Sequence, residues 1–317
     1  MNKYIKRLSL ILAVILLIPP ACAGPSRDSG RSDGGTAVID AIVTFDALYE
    51  LAAAIGGDRV RVINIMPPNA EAHHFEPSAK DLTLLNTAAV FIVCGLGFEP
   101  WAESALGAAG NEGLTLCVAS RGIEPITLSD DELENHDHGG SGHDLSGGQF
   151  DPHIWLSLPC AVVMAENIKD SFIEADPGGA DYYKQAFNEF ARSADGLFKE
   201  YSVKFDGLKN KTIVTGHAVF GYLCRDFGLE QNSVEGVFAE GEPSARALAE
   251  LIDFCRARNI TSILTETLSS PLIAETLASE AGAQVIAIYT MESAEDNLAY
   301  LARMEYNLAV IYESLRR

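Results

Sequence analysis

The sequence predicts an α/β protein of two domains with parallel sheets, joined by a long linking helix. Two observations carry that prediction. Short β-branched apolar runs alternate with helical patterns on both sides of the chain's middle, which is the pattern of helices packed on parallel strands. Between these halves, Ala180 to roughly Phe205 carries Tyr183, Phe187, Phe190, Ala194, Leu197, Phe198 and Tyr201 near a 3.6-residue period, one helix longer than usual. A chain of 317 residues that is 48% hydrophobic has room for two ordinary cores.

The N-terminus reads as a targeting segment, residues 1–23. Lys3, Lys6 and Arg7 precede the apolar run Leu8 to Ile18, which is short for a membrane span. Ala21-Cys22 followed by Gly24 resembles a lipoprotein cleavage site that leaves Cys22 as the lipid-bearing residue, although Pro19 stands where Leu is usual. Ala21-x-Ala23 also reads as an ordinary signal-peptidase site. The Gly/Ser/Asp/Arg-rich stretch 24–35 is a flexible tether, and a tether suits an anchored protein.

The first α/β domain covers 36–157. Strands are expected at Ala37 to Phe45, Arg59 to Met66, Ala89 to Cys94 and Leu114 to Ala119. Helices follow at Asp46 to Ile55, after the Ser78-x-x-Asp81 capping box, and at Glu99 to Ala109. A linking helical segment spans 158–208, broken by Asp176-Pro177-Gly178-Gly179. The second domain, 209–317, is expected to place strands at Lys211 to Thr215, Leu229 to Val237, Ser262 to Thr265 and Gln284 to Tyr289. Its helices are expected at His217 to Phe227, Ser244 to Arg258, Pro271 to Ala281, and Ala294 to the end. Cys94, Cys117, Cys160, Cys224 and Cys255 form no CxxC pair, so a cysteine zinc site is not indicated, and one disulfide stays open.

The chemistry lies in the seven histidines. His136, His138 and His143 sit on a Gly/Ser/Asp loop, 129–149, with no hydrophobic period to bury them. His73 follows the second strand, His217 follows the strand ending Val214-Thr215-Gly216, and His153 precedes the linking segment. Open α/β sheets bind ligands beyond the carboxyl ends of their strands, so His73, His153 and His217 are expected to hold a cation between the domains. His217 is expected in the first turn of a helix, where the helix dipole would resist its protonation. The formal net charge of −21 argues against nucleic acid as a partner and suits a cation.

These residues resemble the cluster A-I solute-binding proteins, the metal-capturing subunits of zinc/manganese ABC uptake systems. The resemblance rests on Pro67-Pro68-Asn69 with His73-His74-Phe75-Glu76-Pro77, on Asp151-Pro152-His153-Ile154-Trp155, on His217-Ala218-Val219-Phe220-Gly221-Tyr222-Leu223, and on the run Thr265 to Pro271. It implies two (β/α) domains bridged by one long rigid helix, with the metal in the interdomain cleft. It also implies that His73, not His74, takes the first ligand place. The implied partners are an ABC permease and its ATPase, reached by an exported, lipid-anchored and monomeric protein.

Three imidazoles and the absence of an Asp after Ile288-Tyr289-Thr290-Met291 favour Zn²⁺ as the bound substrate over Mn²⁺. Water, Glu71 and Glu266 are the candidates for the fourth position, with water preferred. His136, His138 and His143 are expected to serve as auxiliary loop ligands. A manganese or iron member of the same family is the alternative. A zinc hydrolase is a second class, but no HExxH or Ser/His/Asp arrangement supports catalysis.

Overall fold

The computed structural model describes residues 38–68, 70–128, 150–237, 245–266, 271–294 and 296–316. The targeting segment with Cys22, the tether, and the loop bearing His136, His138 and His143 lie outside the described residues.

Among the described residues, eight strands form two four-stranded sheets, parallel throughout. The first sheet contains β1 (Ile39–Val43), β2 (Val60–Asn64), β3 (Val90–Val93) and β4 (Thr115–Val118), in the order β2-β1-β3-β4. The second contains β5 (Thr212–His217), β6 (Glu230–Glu235), β7 (Ser262–Glu266) and β8 (Gln284–Ile288), in the order β6-β5-β7-β8. Each chain path turns back between its first and third strands, the switch point where an open sheet leaves a crevice beyond the strand ends. Continuous apolar runs such as Val90–Val93, buried at every residue, are what a strand covered on both faces requires.

Helices α1 (Asp46–Gly56), α2 (Ala79–Thr83) and α3 (Ala102–Ala109) belong to the first half. The expected capping box opens α2, with Ser78 and Asp81 bonding reciprocally. α4 (Leu158–Ala175) and α5 (Ala180–Asp206) follow. In the second half lie α6 (Gly221–Phe227), α7 (Ala245–Arg258), α8 (Pro271–Ala281) and α9 (Tyr300–Leu315).

The long helix is α5, 27 residues, or roughly 40 Å at 1.5 Å per residue. Its buried stripe, Tyr183, Phe190, Ala194, Tyr201 and Phe205, advances by seven and four residues, which keeps one face inward. Near its start Tyr183 packs on Phe172 of α4, with ring centroids 5.5 Å apart. Near its end Phe205 packs on Phe227 of α6 and Tyr312 of α9, at 5.0 and 6.1 Å. The helix therefore shares its apolar face with both halves, and Gly35–Arg317 holds together as one compact unit. The cysteines at 94, 117, 160, 224 and 255 are buried free thiols.

Two expected boundaries are corrected. His217 ends β5, and α6 begins four residues later at Gly221, so the imidazole is not in a helical turn. The last helix begins at Tyr300 rather than Ala294, and an irregular segment separates it from β8.

Candidate metal centre

The site is assembled from the carboxyl ends of both sheets. His73 lies in the turn between β2 and α2. His153 follows the bridge between Thr127 and Phe150 and opens the 3₁₀ turn Ile154–Leu156. His217 is the last residue of β5. The fourth member was not expected from the sequence: Glu292, in the segment after β8.

One ligand atom from each of His73, His153, His217 and Glu292 lies within 4.8 Å of every other. His73 Nε2 and His153 Nε2 are 3.2 Å apart. Glu292 Oε1 is 3.8 Å from His73 Nε2 and 3.6 Å from His153 Nε2. A tetrahedral zinc with arms of about 2.0–2.1 Å has ligand–ligand edges of roughly 3.3–3.4 Å, so these spacings need little adjustment.

The surroundings orient the donors. Asp151 Oδ1 accepts from both the backbone N and Nδ1 of His153, at 2.9 and 2.8 Å. That contact holds a proton on Nδ1 and turns Nε2 toward the site as the nitrogen a metal would take in exchange for its proton, the carboxylate–histidine arrangement common behind metal ligands. Asp151 is itself held from the second half, where the Tyr222 hydroxyl donates to its carbonyl at 2.6 Å. Gly221 is required beside it, because a Cβ there would stand 2.6 Å from Asp151 Oδ2. Phe45, Phe98 and Trp155 form an aromatic layer with centroids 4.6–5.1 Å apart. The His73 ring meets Phe98 edge-on at 5.3 Å, and the His153 ring lies 5.1 Å from Trp155. This layer keeps water from the back of the imidazoles and strengthens the electrostatics in front.

The charges are tightly coupled. Burial, reinforced by the other imidazoles, pushes His73 down to about 3 against the pull of Glu292. For His153 burial acts downward, but Asp151 and Glu292 outweigh it and raise the ring to about 9. Burial alone would raise Glu292; contact with His153 and the nearby rings instead hold it down to about 2. His217 is raised as well: burial opposes, and Glu266 prevails. The expectation that His217 resists protonation is thus reversed, because it has a carboxylate beside it and no helix terminus.

Glu292 Oε1 is buried and makes no hydrogen bond. A buried carboxylate oxygen without a hydrogen bond is rare and calls for an explanation. Here it faces imidazole nitrogens at distances that suit a shared cation better than a direct bond.

The sequence-derived fourth-position candidates lie elsewhere. Glu71 is exposed and pairs with the exposed His74, 3.2 Å from its Nδ1. Glu266 Oε1 stands 3.3 Å behind His217 Nδ1, while His217 Nε2 lies 2.7 Å from the Val237 carbonyl. Both His217 nitrogens therefore face oxygens, and the ring must exchange one of them to receive a metal. No Asp follows Met291, but the next residue, Glu292, supplies the carboxylate that was not clear from the last strand.

The chain matches the family described as Zinc-uptake complex component A periplasmic over residues 42–314. It belongs to that family. It is 38% identical over 306 residues to a protein of Treponema pallidum named for metal binding, covering 96% of this chain and 94% of that one. It is 31% identical over 310 residues to the high-affinity zinc uptake system protein ZnuA of Bacillus subtilis, covering 96% of each. Among solved structures, a Zn(II)-bound variant of AdcAII from Streptococcus pneumoniae superimposes with a TM-score of 0.75 at 29% identity, over 88% of this chain and 98% of that one. The family expected from the histidine motifs is the family found, and its zinc-binding members agree with Zn²⁺ as the bound substrate.

Proposed function

We propose that this protein is the extracytoplasmic zinc-capturing subunit of an ABC uptake transporter, binding Zn²⁺ through His73, His153, His217 and Glu292. It delivers the ion to a membrane permease driven by an ATPase. The observation that carries this reading is the buried Oε1 of Glu292, which makes no hydrogen bond and stands among three imidazoles. Three nitrogen donors and one oxygen donor suit zinc better than the harder manganese.

The relatives named for zinc uptake support the same cargo. A hydrolytic zinc keeps a coordination place open for water. With Glu292 as the fourth ligand that place is taken, which favours capture over catalysis. The protein acts as a monomer outside the cytoplasm, tethered through a lipid on Cys22. The loop histidines His136, His138 and His143 gather zinc near the cleft without completing the tight site. Ordering such a loop costs roughly 1–2 kcal/mol per residue, so it binds more weakly than the prebuilt centre.

Expressing the gene in a bacterium deprived of its own zinc-capturing subunit, together with its neighbouring permease and ATPase genes, tests the reading. Growth under zinc chelation is the expected result. Zinc-dependent turnover of model esters, peptides or phosphates, with no rescue of growth, would overturn it.

A further inference from the structure

We propose that Arg303, paired with Asp46, is the positioning residue that sets Glu292 against the three imidazoles; this rests on the zinc-binding reading above. Glu292 belongs to neither strand nor helix, so its place must be set from outside its own segment. Met291, just before it, has φ of +58°. A non-glycine residue adopts that conformation only where its surroundings impose it.

Four consecutive carbonyls show how it is imposed. Tyr289 O accepts from Asn307 Nδ2 at 2.7 Å and Thr290 O from Trp155 Nε1 at 2.8 Å. Met291 O accepts from Ala47 N at 2.9 Å and Glu292 O from Asp46 N at 3.3 Å. Three of these four donors come from the first half of the chain. Two are the opening residues of α1, whose N–H groups have no partner within their own helix. The carboxylate supplied by the second half is thus fastened to the half that holds His73 and His153.

Arg303 fixes that fastening. Its Nη1 donates to Asp46 Oδ2 at 2.6 Å, its Nε to Asp296 Oδ1 at 3.0 Å, and its Nη2 to the Asp296 carbonyl at 3.1 Å. The guanidinium also lies 5.9 Å from the centre of the Tyr289 ring. It therefore grips both ends of the Glu292 segment and the first residue of α1. The Arg303 side chain is fully buried and that of Asp46 is 1% exposed. Well-packed apolar side chains fill such a space with equal or greater stability, so a buried pair is weak evidence of a stabilising role. Its geometric effect here falls on Glu292.

The test is a cycle on full-length, chelator-stripped protein, with zinc affinity read by competition against a chromophoric chelator. The corners are wild type, Asp46→Asn with Arg303→Met, Glu292→Gln, and all three together. Removing both charges leaves no unpaired charge at the buried Asp46 position; Asp296, the other carboxylate that Arg303 meets, is 29% exposed and keeps contact with water. The pair variant should lose roughly 10–100-fold in zinc affinity, as orienting groups behind metal ligands do. In the Glu292→Gln background the same pair should change affinity by no more than about twofold, the scatter of independent sites. The Co²⁺ ligand-field spectrum of the pair variant should move toward that of Glu292→Gln.

Equal loss in both backgrounds, or no loss at all, would overturn the inference, since a purely structural role is indifferent to Glu292. Should the pair variant fail to fold, Arg303→Lys takes its place; it keeps the charge and loses the fork. Wild-type protein that bound no zinc would overturn the functional reading itself, and this inference with it.

Discussion

Glu292→Gln removes the charge of one carboxylate while preserving its shape, and its effect follows from burial. The Glu292 side chain is 13% exposed, and its Oε1 lies 3.6 and 3.8 Å from two imidazole nitrogens. A cation seated among these groups would be paired with a largely desolvated anion. Removing one partner of a buried charge pair costs about 3–5 kcal/mol. At 1.4 kcal/mol per tenfold, zinc affinity should fall by roughly two to three and a half powers of ten. Glu71→Ala should change affinity little, since Glu71 and its partner His74 are both exposed. Glu266→Ala should fall between, acting through the orientation of His217.

Competition with a chromophoric chelator measures all three variants. The zinc-free variant needs its own melting curve. The Glu292 carboxyl is held down to about 2 in the folded protein, below its ordinary 4.5. It therefore contributes stability that is fully present above pH 4.5 and is lost as pH falls through about 2. Glu292→Gln should melt lower than wild type at neutral pH even without metal. A larger affinity loss from Glu71→Ala than from Glu292→Gln would refute the reasoning.

Other consequences follow from the same geometry. His73→Ala should weaken zinc binding strongly and His74→Ala hardly at all, because only the first side chain is buried in the cluster; the reverse order in a titration would mean that the register is wrong by one. Deleting residues 134–148 should remove weak additional zinc binding and leave the tight site; loss of the tight site with circular dichroism unchanged would mean that a loop histidine is a ligand. The buried Glu99 accepts from Thr44 Oγ1 and the backbone N of Cys94 and Gly95, yet burial prevails and raises its carboxyl to about 7. Between pH 4.5 and 7 the folded chain holds a proton that the unfolded chain releases, so this group's contribution to stability declines as pH rises through that window. The melting temperature of wild type minus that of Glu99→Gln should accordingly fall from pH 5 to pH 7; a difference that stays flat or rises would contradict it.

Much of the architecture is local and therefore legible. The aromatic period of α5 needs only its own 27 residues, and its expected end, near Phe205, is one residue from the observed one. The four-residue apolar runs of the first sheet declare buried strands on their own. His73, His153 and His217 stand out because strand ends and the motifs around them place them in corresponding loops. Glu292 was missed for the opposite reason. The apolar run of the last strand ends before Glu292, and an irregular segment offers no period to mark the next side chain as inward. What brings Glu292 in is contact at long range, with Arg303 and Asp46 separated by 257 positions. The same contacts explain why the final helix starts later than expected, since Asp296 turns back to meet Arg303. Gly216 reads in the sequence as a strand end that would put His217 in the following helix, whereas β5 continues through it to pair His217 with Glu235.

The most direct test of the whole account is metal stoichiometry under competition. Chelator-stripped protein is equilibrated with Zn²⁺ and Mn²⁺ together, dialysed, and analysed for both elements. The same is done for a variant with His73, His153, His217 and Glu292 all replaced. The account predicts one tightly held zinc per wild-type chain, no manganese at comparable concentration, and no tight zinc in the fourfold variant. Equal or preferential manganese occupancy, or tight zinc retained by a folded fourfold variant, would contradict it.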